Sequence, residues 1–156
     1  MSSFSTIACC IDLTEQNDDI VSYTREMAEL TGAKILLVHV LPSAGSFANY
    51  GASRDLLKKV AEESRAETEK YVRDFAVRNF SGFTCEPLIL TGKIDEALTE
   101  LVDKSCADLV IIGSLNTRGL FNFSGKVSAR LIGKSRVPVM VIPNDLSLEC
   151  SPEEGF

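Results

Sequence analysis

The chain has 156 residues, 45% of them apolar and 24% charged, with a formal net charge of −6. This is one domain's worth of material with an ordinary globular composition, which excludes extended disorder for most of its length. No apolar run approaches the roughly 18 residues of a membrane span, and the acidic balance argues against duplex DNA or RNA as a partner.

The first thirteen residues hold no Lys or Arg. They lack the basic region of a secretory signal, so a cytoplasmic location is expected. Ser5–Ile11 reads as a first strand, in which the neighbours Cys9 and Cys10 face opposite ways. Asn17–Leu30 follows as a helix with Ile20, Tyr23, Thr24, Met27 and Leu30 on one face, stopped by Thr31-Gly32. Lys34–Val40 is a second strand and carries His39, the single histidine. Leu41–Ala52 is a small-residue loop and a candidate lid. Ser53–Phe80 is a long helix whose apolar stripe runs through Leu56, Leu57, Val60, Tyr71, Val72, Phe75 and Ala76. Then come a strand at Thr84–Leu90, a helix at Ile94–Lys104 and a strand at Asp108–Gly113. A helix at Gly125–Lys134, carrying Val127, Leu131 and Ile132, and a strand at Pro138–Ile142 close the pattern. The domain is expected over residues 1–143, and the acidic residues 144–156 read as a frayed tail.

Five strands and four amphipathic helices thus alternate along the chain. The strands ILLVHV, LVIIG and VPVMVI are continuously apolar, as in sheets covered on both sides. The expected fold is an α/β domain with an open five-stranded parallel sheet, right-handed crossovers and helices on both faces. In such sheets ligands bind outside the carboxyl ends of the strands, where the strand order reverses. Three segments fall there: Asp12-Leu13-Thr14, Val40-Leu41-Pro42, and Gly113 to Ser128. A carboxylate at Asp12 suits a ribose or base hydrogen bond, and it equally suits ordering of the following turn. The start of the Gly125 helix suits an anion. Between Ser114 and Asn144 lie five basic residues (Arg118, Lys126, Arg130, Lys134 and Arg136) and no acidic one, so basic charge gathers near the crevice of an acidic protein. The same run is also compatible with a plain solvated face.

Familiar catalytic and metal patterns are missing. Gly119 to Gly125 encloses five residues and Val127 follows the lysine, so no P-loop is present, nor is any G-x-G-x-x-G. The five cysteines form no C-x-x-C pair, which argues against zinc and against a disulfide framework. One histidine without an elbow serine makes no triad, so His39 reads as a hydrogen-bonded structural residue.

Four stretches, in this order and spacing, carry a family likeness: TIACCIDLTEQN, AKILLVHVLP, GKIDEALTELVDKSCADLVIIGS and SGKVSARLIGKSRVPVMVIP. From Ser5 to Pro143 the chain resembles a universal stress protein of the A type. The resemblance implies an adenine nucleotide alpha hydrolase-like sheet of order 3-2-1-4-5 and a homodimer paired through the edge strand Val139–Ile142. Pairing would also cover an otherwise hazardous apolar edge. Nucleotide-binding members resemble G-x-x-G-x9-G-[ST] after the fourth strand. Here Gly113 matches the first glycine, Asn116 stands at the second, and eight residues precede Gly125. Lys126 replaces the hydroxyl residue, and Ser128 matches a later hydroxyl. The implied binding residues are therefore Ile11, Asp12, Leu13 and Val40 on the adenosine side, with Gly113, Asn116, Gly125, Lys126, Val127 and Ser128 on the phosphate side. ATP or another adenine nucleotide is the implied ligand, with no metal and no catalytic residue. Two readings stand. One is a non-catalytic regulator or interaction module with a degenerate cleft. The other is an ATP- or AMP-binding protein using the Gly113–Ser128 loop. The S-G-G-x-D-S loop of related pyrophosphatase-type enzymes is missing after the first strand, which disfavours that chemistry.

Overall fold

A computed structural model of the chain describes residues 4–13, 17–41, 43, 54–105, 107–113 and 125–143. Nine elements follow in order: β1 (Thr6–Cys10), α1 (Asp18–Thr31), β2 (Lys34–Leu41), α2 (Arg54–Asn79), β3 (Cys85–Thr91), α3 (Ile94–Ser105), β4 (Leu109–Gly113), α4 (Gly125–Lys134) and β5 (Val139–Ile142). Each expected element is present within one or two residues of its anticipated ends. The loop Leu41–Ala52, apart from Leu41 and Ser43, and the tail 144–156 lie outside the described residues.

The strands form one sheet of order β3-β2-β1-β4-β5 with every pairing parallel. Side chains alternate across it, so each strand feeds two cores. Ile7, Cys9 and Ile11 join Ile35, Leu37, Leu109 and Ile111 under α1 and α2, whose Val21, Ala28, Val72 and Phe75, with Phe80 just after α2, close the layer. Ala8, Cys10, Leu36, Val38, Val110 and Ile112 face the other way, beneath Leu98 and Val102 of α3 and Leu131 of α4. Cys9 and Cys10 therefore do lie on opposite faces. Burial without a cationic partner pushes the Cys9 thiol up to about 12 and the Cys10 thiol higher still.

In three helices, individual residues of the expected stripe face away from the core. In α1 the buried residues are Ile20, Val21, Thr24 and Ala28, while Tyr23 is partly exposed and Leu30 is 76% exposed. In α2 and α4, Tyr71 and Ile132 point largely to solvent. Tyr23, Tyr71 and Ile132 each sit one position from a buried stripe residue, and Leu30 two positions from Ala28, where steps of 100° carry a side chain off the sheet. Gly32 ends α1 in the left-handed region at φ 71°, with its N–H on the Ala28 carbonyl at 2.9 Å, the usual glycine stop.

Candidate functional site

The strand order reverses at β1. The chain steps from β1 to β2 and β3 on one side, then crosses back to β4 and β5 on the other. The carboxyl ends of β1, β2 and β4 consequently border one crevice. Of the expected adenosine-side residues, Ile11, Asp12 and Leu13 continue β1 into this crevice, and Val40 lies near the end of β2. Ile11, Asp12 and Val40 are buried. Val38 accepts the Ile11 N–H at 2.9 Å, and strand alternation turns the main-chain groups of Val40 to the same side, toward Asp12–Leu13.

Asp12 is held closely. Its N–H donates to Asn17 Oδ1 at 3.3 Å, and its carbonyl accepts from Asn17 Nδ2 at 2.6 Å. One residue earlier, the Ile11 carbonyl lies 3.0 Å from His39 Nδ1. A carbonyl only accepts, so Nδ1 carries the proton and His39 is the donor. His39 is thus buried and hydrogen-bonded, and its partner is the crevice segment itself. Sequence reasoning placed Asn17 merely at a helix start. The available signal was an Asn five residues after a strand-ending Asp, which is too common a spacing to stand out.

Gly113 ends β4 on the opposite wall, paired with Ile142. A Cβ there would lie 2.9 Å from Ile20 Cδ1 at the start of α1. The glycine therefore makes room for α1 beneath the crevice. Asn116 lies outside the described residues. Gly125, Lys126, Val127 and Ser128 are described only as the first residues of α4, in agreement with the expected helix start.

The electrostatics single out α4. The first turns of α1, α2 and α3 carry Asp18 and Asp19, Asp55, and Asp95 and Glu96 respectively. These carboxylates oppose the positive end of each helix dipole. The first turn of α4 contains none. The basic run is, however, partly committed elsewhere. Lys134 Nζ lies 3.3 Å from the buried Asp95 carboxylate, and Arg136 Nε lies 3.9 Å from Asp103, so both tie the α4 end of the chain to α3. Arg130 is exposed. Among the described residues no group of three or more His, Cys, Asp or Glu side chains is placed to hold a metal, and no helix is long and apolar enough to cross a membrane.

Comparison with known proteins agrees with this architecture. The family model described as "Universal stress protein family" matches residues 3–143. The chain is similar to "Universal stress protein G" of Escherichia coli O157:H7, at 26% identity over 146 residues covering 89% of this chain and 99% of the relative. Among solved structures it resembles a universal stress protein family protein of Arabidopsis thaliana with AMP bound, at 20% identity and TM-score 0.62, covering 95% and 97% of the two chains. It also resembles the universal stress protein of Archaeoglobus fulgidus in complex with dAMP, at 21% identity and TM-score 0.55, covering 90% and 99%. The chain belongs to the universal stress protein family.

Proposed function

We propose that this universal stress protein binds an adenine nucleotide in the crevice between β1, β2 and β4 and acts as a non-catalytic regulator. The observation that carries the reading is the buried Asp12 at the carboxyl end of β1, its main chain held by the Asn17 amide. A carboxylate there accepts hydrogen bonds from a ribose hydroxyl or an exocyclic amine, and main-chain groups add directional contacts to the base. Ile11 and Leu13 supply apolar surface. The phosphates extend from Gly113 toward Gly125, Lys126, Val127 and Ser128, at the helix start without a carboxylate, with Asn116 a further candidate on sequence grounds. The AMP- and dAMP-bound relatives lend support to the ligand class. The homodimer forms through β5, which lies at the sheet edge with Val139, Met140 and Val141 only half-buried.

A second reading is a dimeric interaction module without ligand. It is favoured by the engagement of Lys134 and Arg136 with α3, which removes two cations from the charge open to a phosphate.

Titration calorimetry with AMP and with ATP separates the two. Binding that is weakened about tenfold or more by Asp12→Asn, the scale of lost hydrogen bonds to a charged group, supports the first reading. No heat at about millimolar nucleotide, a concentration that would detect binding of only ~4 kcal/mol, leaves the second. Sedimentation of Val141→Lys tests the dimer, with a monomer expected; an unchanged dimer would place the interface elsewhere.

A further inference from the structure

We propose that Asn17 and His39 are positioning residues which together clamp the Ile11–Asp12 segment and so set the Asp12 carboxylate in the crevice. β1 ends at Cys10, so Ile11 and Asp12 lie beyond its last paired residue. Four main-chain groups there each find a partner. The Ile11 N–H goes to the Val38 carbonyl, and the Ile11 carbonyl receives His39 Nδ1–H. The Asp12 N–H and carbonyl both go to the Asn17 amide, whose orientation is fixed because an N–H must meet Oδ1 and a carbonyl must meet Nδ2. With these groups bonded, the peptide planes on either side of the Asp12 Cα lose their freedom to rotate, and the direction of its side chain follows.

The helix forgoes something for this. Asn17 occupies the N-cap of α1, where an asparagine side chain ordinarily accepts from the N–H groups of the first turn. Here it makes no such bond. A residue serving only the stability of α1 would cap it; this one is turned to the crevice. His39 is held in the Nδ1–H tautomer and reaches the same segment from β2. Asp12, Asn17 and His39 are each no more than 8% exposed, so the clamp lies beneath the crevice floor and acts through Asp12.

The affinity part of this inference rests on the nucleotide reading above; the geometric part does not. The test uses the full ¹⁵N-labelled chain, whose single histidine makes the imidazole signals unambiguous. A long-range ¹H–¹⁵N spectrum near pH ~8, where imidazole is ordinarily neutral, should show the Nδ1–H tautomer. The Asp12 amide should exchange slowly and lose that protection in Asn17→Ala. AMP affinity should fall about tenfold in Asn17→Ala and His39→Leu, and stay within about threefold of wild type in His39→Asn, whose Nδ2 can take the place of Nδ1. An Nε2–H tautomer, or wild-type AMP affinity in both disruptive variants, overturns the clamp. A wild-type protein that ignores AMP overturns the nucleotide reading instead, and the tautomer with the Asp12 exchange rate still decides the clamp. If His39→Leu and Asn17→Ala fail to fold, the wild-type tautomer and the affinity of His39→Asn carry the decision.

Discussion

Replacing Lys134 with Met discriminates between two uses of the same charge. Its ammonium lies 3.3 Å from Asp95 Oδ2, with the Asp95 side chain 5% exposed and the lysine side chain 52% exposed. Breaking a fully buried pair costs about 3–5 kcal/mol, while an exposed pair contributes about 0–1 kcal/mol. A pair with one buried and one half-exposed member falls between, at about 1.5–2.5 kcal/mol. For a domain of this size each kcal/mol moves Tm by about 2–4 °C, so Lys134→Met should lower Tm by about 3–10 °C. Differential scanning calorimetry reads this directly. Arg136→Met is the control: at 3.9 Å, with the arginine side chain 84% exposed, it should cost under about 0.5 kcal/mol. In an Asp95→Asn background the Lys134→Met penalty should shrink, because the buried charge needing a partner is gone. Nucleotide affinity should be unaffected throughout. If Lys134→Met leaves Tm unchanged and weakens nucleotide binding more than about threefold (~0.7 kcal/mol), the lysine serves the ligand and the assignment to α3 is wrong.

Gly113→Ala places a Cβ 2.9 Å from Ile20 Cδ1 and should destabilise by about 1–3 kcal/mol in urea unfolding. The penalty should largely vanish in Ile20→Val, which lacks that methyl; full additivity would refute the packing account. Alkylation with peptide mapping near pH ~8 should spare Cys9 and Cys10 in the folded protein, since burial pushes Cys9 up to about 12 and Cys10 beyond it; rapid labelling of either would show that the core opens. Asp108 accepts from the Ser5 hydroxyl, the Ser5 N–H and the Thr6 N–H, which hold its carboxyl below the ordinary value. A depressed carboxyl contributes stability above its unfolded pKa of about 3.9 and loses it as pH falls through the lower folded value. Asp108→Asn should therefore lower Tm at neutral pH, and the gap should close below about pH 4; a gap that persists in acid would assign the effect to something other than ionisation.

The order of elements was legible because several strands are continuous apolar runs and each helix carries an apolar stripe. Those two periods suffice to alternate nine elements and to bury both sheet faces. Helix rotation was less legible. In α1 the expected face rightly holds Ile20, Thr24 and Met27, but whether Tyr23 and Leu30 or Val21 and Ala28 complete it depends on which side chains the sheet accepts. Small Ala28 packs closely, and bulky Leu30 is left outside, which hydropathy alone ranks in reverse. The clamp on Asp12 was illegible for a different reason. Asn17 and His39 lie 5 and 28 residues from their partners, and hydrogen bonds between side chains and main chain leave no periodic trace.

Charge illustrates most clearly what a sequence sum conceals. The basic run from Ser114 to Asn144 looked like one feature pointed at an anion. Lys134 and Arg136 instead meet the carboxylates of α3, so part of the run joins α4 to its neighbour. What distinguishes the crevice is the distribution of negative charge. All helices of a parallel sheet start at the carboxyl edge of the strands, and each starts with a positive dipole end. At α1, α2 and α3 a carboxylate in the first turn already answers that field. At α4 no carboxylate does, and Gly113, which ends the preceding strand, is already required by Ile20. The case for a phosphate at this end therefore rests on an acidic protein withholding acidic residues from one helix start, a stronger argument than the presence of lysine or of glycine.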